Sequence, residues 1–86
     1  MVVLVDKVRE LLLLRFPGSV PDLRTQEGGR IWGILVWSGF EGVDQILRQS
    51  MLREVLENQL RSGDRRQVSA ILTMAPSERN DDEDED

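Results

Sequence analysis

The sequence predicts an α+β fold in which helices pack on one face of a three-stranded sheet. Apolar residues recur at helical spacing near the start of the chain and again after residue 44. Three other segments are short and alternate, and glycine or proline separates them from their neighbours. The predicted order is helix, strand, strand, helix, strand. A chain of 86 residues is long enough for a single domain with one core.

The first helix is predicted over residues 4–15. Its apolar residues at helical spacing are Val5, Val8, Leu11 and Leu12, with Leu4 and Leu14 widening the stripe. Phe16-Pro17-Gly18 ends the helix, because proline disfavours the α conformation of the residue before it and glycine permits a turn. Pro21 then allows only a short or edge strand around residues 20–26.

A hairpin is predicted at Glu27-Gly28-Gly29, since adjacent glycines tolerate the positive φ angles of tight turns. The strand that follows is apolar on both faces. Trp32, Ile34 and Val36 share one face, and Ile31, Leu35 and Trp37 share the other. Such a strand is usually central or covered on both sides, so further layers are required. At least one of the two tryptophans is expected in the core, and an exposed one could stack on nucleic-acid bases.

A second helical pattern follows Gly42. Its single apolar stripe comprises Ile46, Leu47, Met51, Leu52, Val55, Leu56 and Leu60. Ser62-Gly63-Asp64 is predicted to end this helix, with Gly63 as a C-terminal cap. Residues 68–74 form the last strand, with Val68, Ala70, Leu72 and Met74 on one face and Ser69, Ile71 and Thr73 on the other. Pro76 ends the domain.

The charge of the chain is concentrated at its C-terminus. Residues 77–86 hold seven acids and one arginine, a net charge of −6, so residues 1–76 carry about +1 of the total of −5. A block of like charges without apolar residues is expected to be disordered. We therefore predict a domain at 1–76 and a disordered acidic tail at 77–86. The tail is interpreted as solubilising, and the alternative is a nucleic-acid mimic that shields a basic face.

The composition leaves little for catalysis. The chain has no His, Cys or Tyr, and Lys7 is its only lysine. No serine has a base at motif spacing, and no phosphate-binding glycine loop is present, so we expect a non-enzyme without a cofactor. The N-terminus lacks the features of a signal peptide, and no run approaches the roughly 18 apolar residues of a membrane span. We expect a soluble, cytoplasmic protein, monomeric or weakly dimeric, with no membrane partner.

Several short motifs occur in a distinctive order. Phe40-x-Gly42 is followed six residues later by Arg48, and Leu56 lies eight residues beyond that arginine. Val68-Ser69-Ala70-Ile71 opens the last strand, and Pro76 closes it. In this order and spacing the sequence resembles the BolA family, small regulators with a KH-like fold, over residues 5–76. The resemblance implies a break in the second helix near Arg48–Ser50, which gives the order α-β-β-α-α-β.

The resemblance also implies a partner, and the sequence departs from the family pattern at two positions that bear on that partner. BolA-like proteins often pair with monothiol glutaredoxins across a shared iron–sulfur cluster, using a histidine at the start of the last strand. That position is Ser69 here, and Gln49 stands where a histidine commonly follows Arg48. A serine hydroxyl is a poor ligand for such a cluster. We therefore expect a regulatory or adaptor protein that binds a protein partner, a glutaredoxin among the candidates, without the standard cluster ligation.

The candidate binding residues each have a structural alternative. Phe40 and Gly42 could belong to a binding loop, although a core side chain and a backbone requirement are the favoured interpretation. Arg48 could contact a phosphate or an acidic partner, or pair with Asp44 one turn earlier. The arginines around the predicted turn could form a basic lip or a solvated loop. The alternative function is a KH-like nucleic-acid binder that uses Arg48, Arg53, Arg61, Arg65 and Arg66, with the acidic tail as a gate.

Overall fold

The structure, a computed structural model, describes residues 3–79 and has the predicted α+β architecture with a three-stranded sheet. The elements are α1 (Leu4–Arg15), β1 (Val20–Thr25), β2 (Ile31–Val36), α2 (Gln45–Gln59), α3 (Ser62–Gln67), β3 (Val68–Met74) and α4 (Pro76–Arg79). The order α-β-β-α-α-β through β3 is confirmed. None of the helices found between residues 3 and 79 is long and apolar enough to cross a membrane.

The sheet has the strand order β1-β2-β3, so the doubly apolar β2 is central as predicted. β1 pairs with β2 antiparallel through a turn at Glu27–Gly29, in which Gly28 and Gly29 both have positive φ. β3 pairs with β2 in parallel. This arrangement requires a crossover, which α2 and α3 supply.

The core lies between the helices and one face of the sheet. α1 contributes Val8 and Leu12, both fully buried, and β2 contributes Ile31 and Leu35. The remaining buried members of this core are Phe16, Leu23, Phe40, Leu52, Val55, Leu56, Leu60, Ile71 and Ala75. The other face of β2, with Trp32, lies outside this cluster. The helices therefore cover a single face of the sheet, as predicted.

The predicted helix break near Arg48–Ser50 is wrong, because α2 continues without interruption from Gln45 to Gln59. This segment contains neither glycine nor proline, and Asp44 caps its start by accepting a hydrogen bond from the N–H of Ile46 at 3.0 Å. The second helix of the crossover is α3 instead. Gly63 lies inside α3 rather than capping α2, which ends at Leu60 in an extended conformation.

The predicted apolar stripe of α2 is correct only after its first turn. Ile46 and Leu47 have exposed fractions of 82% and 53%, whereas Leu52, Val55 and Leu56 are buried. The side chain that points inward from the first turns is Arg48, which is 4% exposed. Arg48 can be buried at this place because its guanidinium has hydrogen-bond partners there, even though the side chain is charged.

The chain after β3 forms one more helical turn, α4, at Pro76–Arg79. Glu78 anchors it by binding Arg48, and Ser77 donates from its Oγ to Glu41 at 3.1 Å. The boundary predicted after residue 76 therefore falls within this turn. The rest of the predicted acidic tail, residues 80–86, lies outside the described residues.

Candidate functional site

A groove of about 250 Å³ opens between α2, α3 and the first half of β3. Its apolar floor is formed by Leu52, Leu56, Val68, Ala70 and Ile71. Four of the predicted site residues provide the polar part of the lining, and these are Gln49, Arg53, Arg65 and Ser69. Three separate elements thus bring together residues that are up to 20 positions apart in the sequence.

Ser69 reaches the groove at an irregularity in the sheet. Ile31 and Trp32 are consecutive in β2, but their partners in β3 are Val68 and Ala70, so Ser69 is an extra residue without a partner. Such a bulge locally redirects the side chains of the strand that contains it. Ser69 is exposed and lies at the rim of the groove.

Gln49 uses its amide to hold the edge of β3. Its Nε2 donates to the carbonyl of Ile71 and to Oγ1 of Thr73, both at 3.2 Å. Gln45 adds a bond from its Nε2 to the carbonyl of Thr73 at 3.0 Å and accepts from Oγ1 of the same residue at 2.8 Å. Gln45 and Thr73 were missed by sequence reasoning. The one feature of the sequence that could have identified them is Thr73 itself, a polar residue on the face of β3 that points inward. It is 2% exposed in the structure, so its hydroxyl needs a partner inside the protein.

The arginines of the predicted basic lip are divided between the groove and solvent. Arg53 and Arg65 line the groove, and Nη1 of Arg65 lies 3.3 Å from Oε2 of Glu57. Arg61 precedes α3 and Arg66 lies within it, and both are exposed outside the groove lining. The segment predicted as a turn or loop is a short helix, because the carbonyl of Arg61 accepts the N–H of Arg65 at 2.8 Å.

Arg48 does not reach the groove. Its Nη1 and Nη2 donate to the two carboxylate oxygens of Glu78 at 2.8 and 2.9 Å. The predicted pairing with Asp44 is wrong, since that carboxylate caps α2. Nη2 also donates to the carbonyl of Phe40 at 2.9 Å, and Nε donates to the carbonyl of Val43 at 2.6 Å. All three guanidinium nitrogens therefore have partners inside the protein.

The ion pair between Arg48 and Glu78 fixes the charge of both groups. Hydrogen bonds from Arg48 and from the N–H of Ala75 lower the pKa of the Glu78 carboxyl to about 2. The bond to Glu78 in turn raises the pKa of Arg48 above its usual value, although burial acts in the opposite direction. Both groups are therefore charged across the physiological range, in which the ion pair links α4 to α2.

Phe40 and Gly42 each meet a structural requirement of the fold. Phe40 is fully buried, and its ring centroid lies 5.2 Å from that of Trp37 and 5.6 Å from that of Phe16. Gly42 has a φ of +75°, which side-chain-bearing residues rarely adopt. Trp37 is half-buried and donates from Nε1 to the carbonyl of Pro17 at 2.9 Å, whereas Trp32 is 39% exposed on the opposite side of the sheet.

The chemistry available at the groove is recognition by shape, charge and hydrogen bonds. Its polar groups are two guanidinium groups, one amide and one hydroxyl. Within residues 3–79, no cluster of three or more His, Cys, Asp or Glu side chains is arranged to hold a metal ion. An apolar floor with a basic rim suits a segment that has apolar and acidic side chains.

A scan against protein-family models and a search of the curated proteins each found no match to this chain.

Proposed function

We propose that this chain is a non-enzymatic regulatory or adaptor protein that binds a protein partner at the groove between α2 and β3. The observation that carries the proposal is the convergence of Gln49, Arg53, Arg65 and Ser69 on one groove with an apolar floor. Gln49 and Ser69 are the positions at which BolA-like proteins commonly carry histidines. The partner proposed first is accordingly a monothiol glutaredoxin.

The donor groups at this groove do not fit the ligation of an iron–sulfur cluster. Clusters are held by thiolates and, in some cases, imidazoles, whereas the groove offers a hydroxyl, an amide and two guanidinium groups. The whole chain has no His and no Cys. The association is therefore proposed to depend on protein contacts alone, with no ligand supplied by this chain.

Size-exclusion chromatography of the purified chain with a monothiol glutaredoxin, apo and cluster-loaded, tests this function. We expect a heterodimer in both cases, with no change in the visible absorption of the cluster. Failure to co-elute in either form would overturn a glutaredoxin as the partner. A heterodimer that forms only with the cluster-loaded protein would contradict the cluster-free association.

Two substitutions locate the contact. Ser69→Trp fills the groove, and we expect it to abolish co-elution. Ser50→Trp is the matched control, because Ser50 is an exposed serine on α2 that does not line the groove. Arg53→Glu reverses a charge of the rim, and Arg30→Glu makes the same change at an exposed residue just before β2. Equal effects in the two members of either pair would contradict the groove as the contact.

The alternative function, nucleic-acid binding, is favoured by the clustering of Arg53 and Arg65 beside the exposed Arg61 and Arg66. Arg48 is withdrawn from this set because Glu78 binds it. Binding of this kind should weaken steeply with salt. It should strengthen when residues 80–86 are deleted, a truncation that keeps Glu78 and α4. Affinity that is insensitive to both salt and truncation would exclude this alternative.

A further inference from the structure

The face of the sheet remote from the helices is largely apolar and partly exposed. The strand register brings nine residues onto this face, which are Val20, Asp22, Arg24, Trp32, Ile34, Val36, Ala70, Leu72 and Met74. Only two of them are charged. The exposed fractions of Val20, Trp32 and Leu72 are 54%, 39% and 57%. We call these nine residues the open face.

The open face differs from the solvated side of an ordinary sheet. A sheet with one face in water usually alternates apolar and polar residues, so that the solvated face is polar. In β2 and β3 of this chain, every residue of the open face is apolar. None of the nine belongs to the core cluster beneath the helices, although Val36 is itself buried, with 6% of its surface exposed.

Each edge of the sheet has a feature that disfavours strand addition. In β1, Pro21 has no N–H to donate. In β3, the carbonyls of Ile71 and Thr73 already accept hydrogen bonds from Gln49 and Gln45. A partner that associates through the sheet is therefore directed to the open face rather than to an edge.

The two charged residues of the open face indicate what covers it. Asp22 and Arg24 are neighbours on this face of β1, and their closest atoms, Nε and Oδ1, are 3.9 Å apart in an exposed pair. In two stacked sheets, a two-fold axis that runs between them, perpendicular to the strands and level with Leu23, would set Arg24 opposite Asp22 of the partner subunit. The same axis stacks Trp32 on Ile34 of the partner subunit. The face is thus complementary to itself, as a symmetric interface requires.

We propose that the open face binds a second copy of this chain in a symmetric sheet-on-sheet dimer. Three strands about 4.8 Å apart and six residues long, at about 3.3 Å per residue, give a flat footprint of roughly 300 Å². Stable interfaces bury about 800 Å² on each partner. The dimer is therefore weak and dissociates on dilution. Ala70 belongs to both surfaces, and the other residues that line the groove lie outside the open face.

Sedimentation equilibrium of the full chain from micromolar to millimolar concentration tests this dimer. The average mass should rise from the 9.9 kDa of one chain toward twice that value. Leu72→Glu places a carboxylate in the interface and should lower the association constant by about tenfold or more. Ile46→Glu adds the same charge at an exposed apolar residue of α2 and should associate like the parent chain.

A chain that stays monomeric up to millimolar concentration would overturn the proposal, as would an equal loss of association in Leu72→Glu and Ile46→Glu. The two-fold arrangement has its own test. Arg24→Asp sets acid against acid and should weaken association, whereas Asp22→Arg combined with Arg24→Asp restores opposite charges and the original net charge. If the double variant stays as weak as the single one, this arrangement of the two copies is wrong.

Discussion

At the scale of single residues, Arg48 connects parts of the chain that are distant in sequence. Its guanidinium binds the carbonyl of Phe40, 8 residues earlier, and the carboxylate of Glu78, 30 residues later. The guanidinium carbon also lies 5.6 Å from the centroid of the Phe40 ring. Arg48 thereby fixes the loop before α2 and the turn after β3 at the same place, and its role is to hold the fold together.

Arg48→Met keeps an unbranched, mostly aliphatic side chain but removes every donor. The buried carbonyl of Phe40 would lose its hydrogen-bond partner. We expect this loss alone to lower the free energy of unfolding by about 1–3 kcal/mol. Chemical denaturation measures this change. Arg53→Met is the control, because Arg53 is exposed on the same helix and should have little effect. Equal losses in the two variants would contradict the structural role of Arg48.

Glu78 makes the attachment of α4 depend on pH. Its pKa is lowered from 4.5 to about 2 in the folded chain, so its contribution to stability is complete above 4.5 and is lost as the pH falls toward 2. The difference in stability between the parent chain and Glu78→Gln should therefore shrink over this interval. Thermal unfolding at a series of pH values measures it, with Glu57→Gln as the control for loss of an exposed, paired carboxylate. A difference that is constant with pH would show that the ion pair does not form.

At the scale of elements, the sequence predicted the helices and strands whose apolar residues recur at a regular spacing. It did not predict α3, in which no such spacing exists. α1 and all three strands were predicted nearly to their ends, because alternation or helical spacing and flanking glycines and prolines identify them. α3 was missed because its sequence, SGDRRQ, has no apolar residue to give a period. The break predicted in α2 came from a family resemblance, and nothing in residues 45–59 disrupts a helix.

The sign of the effect of Gly63→Ala distinguishes the predicted cap from the observed helix. Replacing a capping glycine with alanine would lower stability, whereas Gly63 lies inside α3 with open space where the methyl group of alanine would project. We therefore expect Gly63→Ala to raise the free energy of unfolding by about 0.5–1 kcal/mol. A lower stability in chemical denaturation would return Gly63 to the role of a cap.

Gly33→Ala is the contrasting substitution in the sheet. A methyl group there would overlap the carbonyl oxygen of Asp22 and lie 2.8 Å from Cα of Leu23. Relieving this overlap requires β1 and β2 to separate, so we expect a loss of roughly 1–3 kcal/mol or more in the free energy of unfolding. Chemical denaturation measures it, and an unchanged midpoint would contradict the close approach of the two strands.

At the scale of the whole molecule, the fold presents two different surfaces, which have only Ala70 in common. The groove combines arginines with an apolar floor, whereas the open face is almost entirely apolar. Of the polar residues that border the groove, Gln49 and Ser69 were predicted from a resemblance in sequence, and Arg53 and Arg65 from the clustering of arginines. The pairing of Arg48 with Glu78 could not be predicted, because no local sequence pattern links residues that are 30 positions apart. That pairing removes one predicted residue from the site.

We propose, above all, that a protein partner binds at the groove. The most direct test is a titration of the ¹⁵N-labelled chain with an unlabelled apo monothiol glutaredoxin, followed by amide chemical shifts in two-dimensional NMR. We predict that the largest changes map to Arg53, Arg65 and Ser69, with Val20 and Trp32 unaffected. Changes concentrated at Trp32 and Leu72, or no changes at all, would contradict the claim.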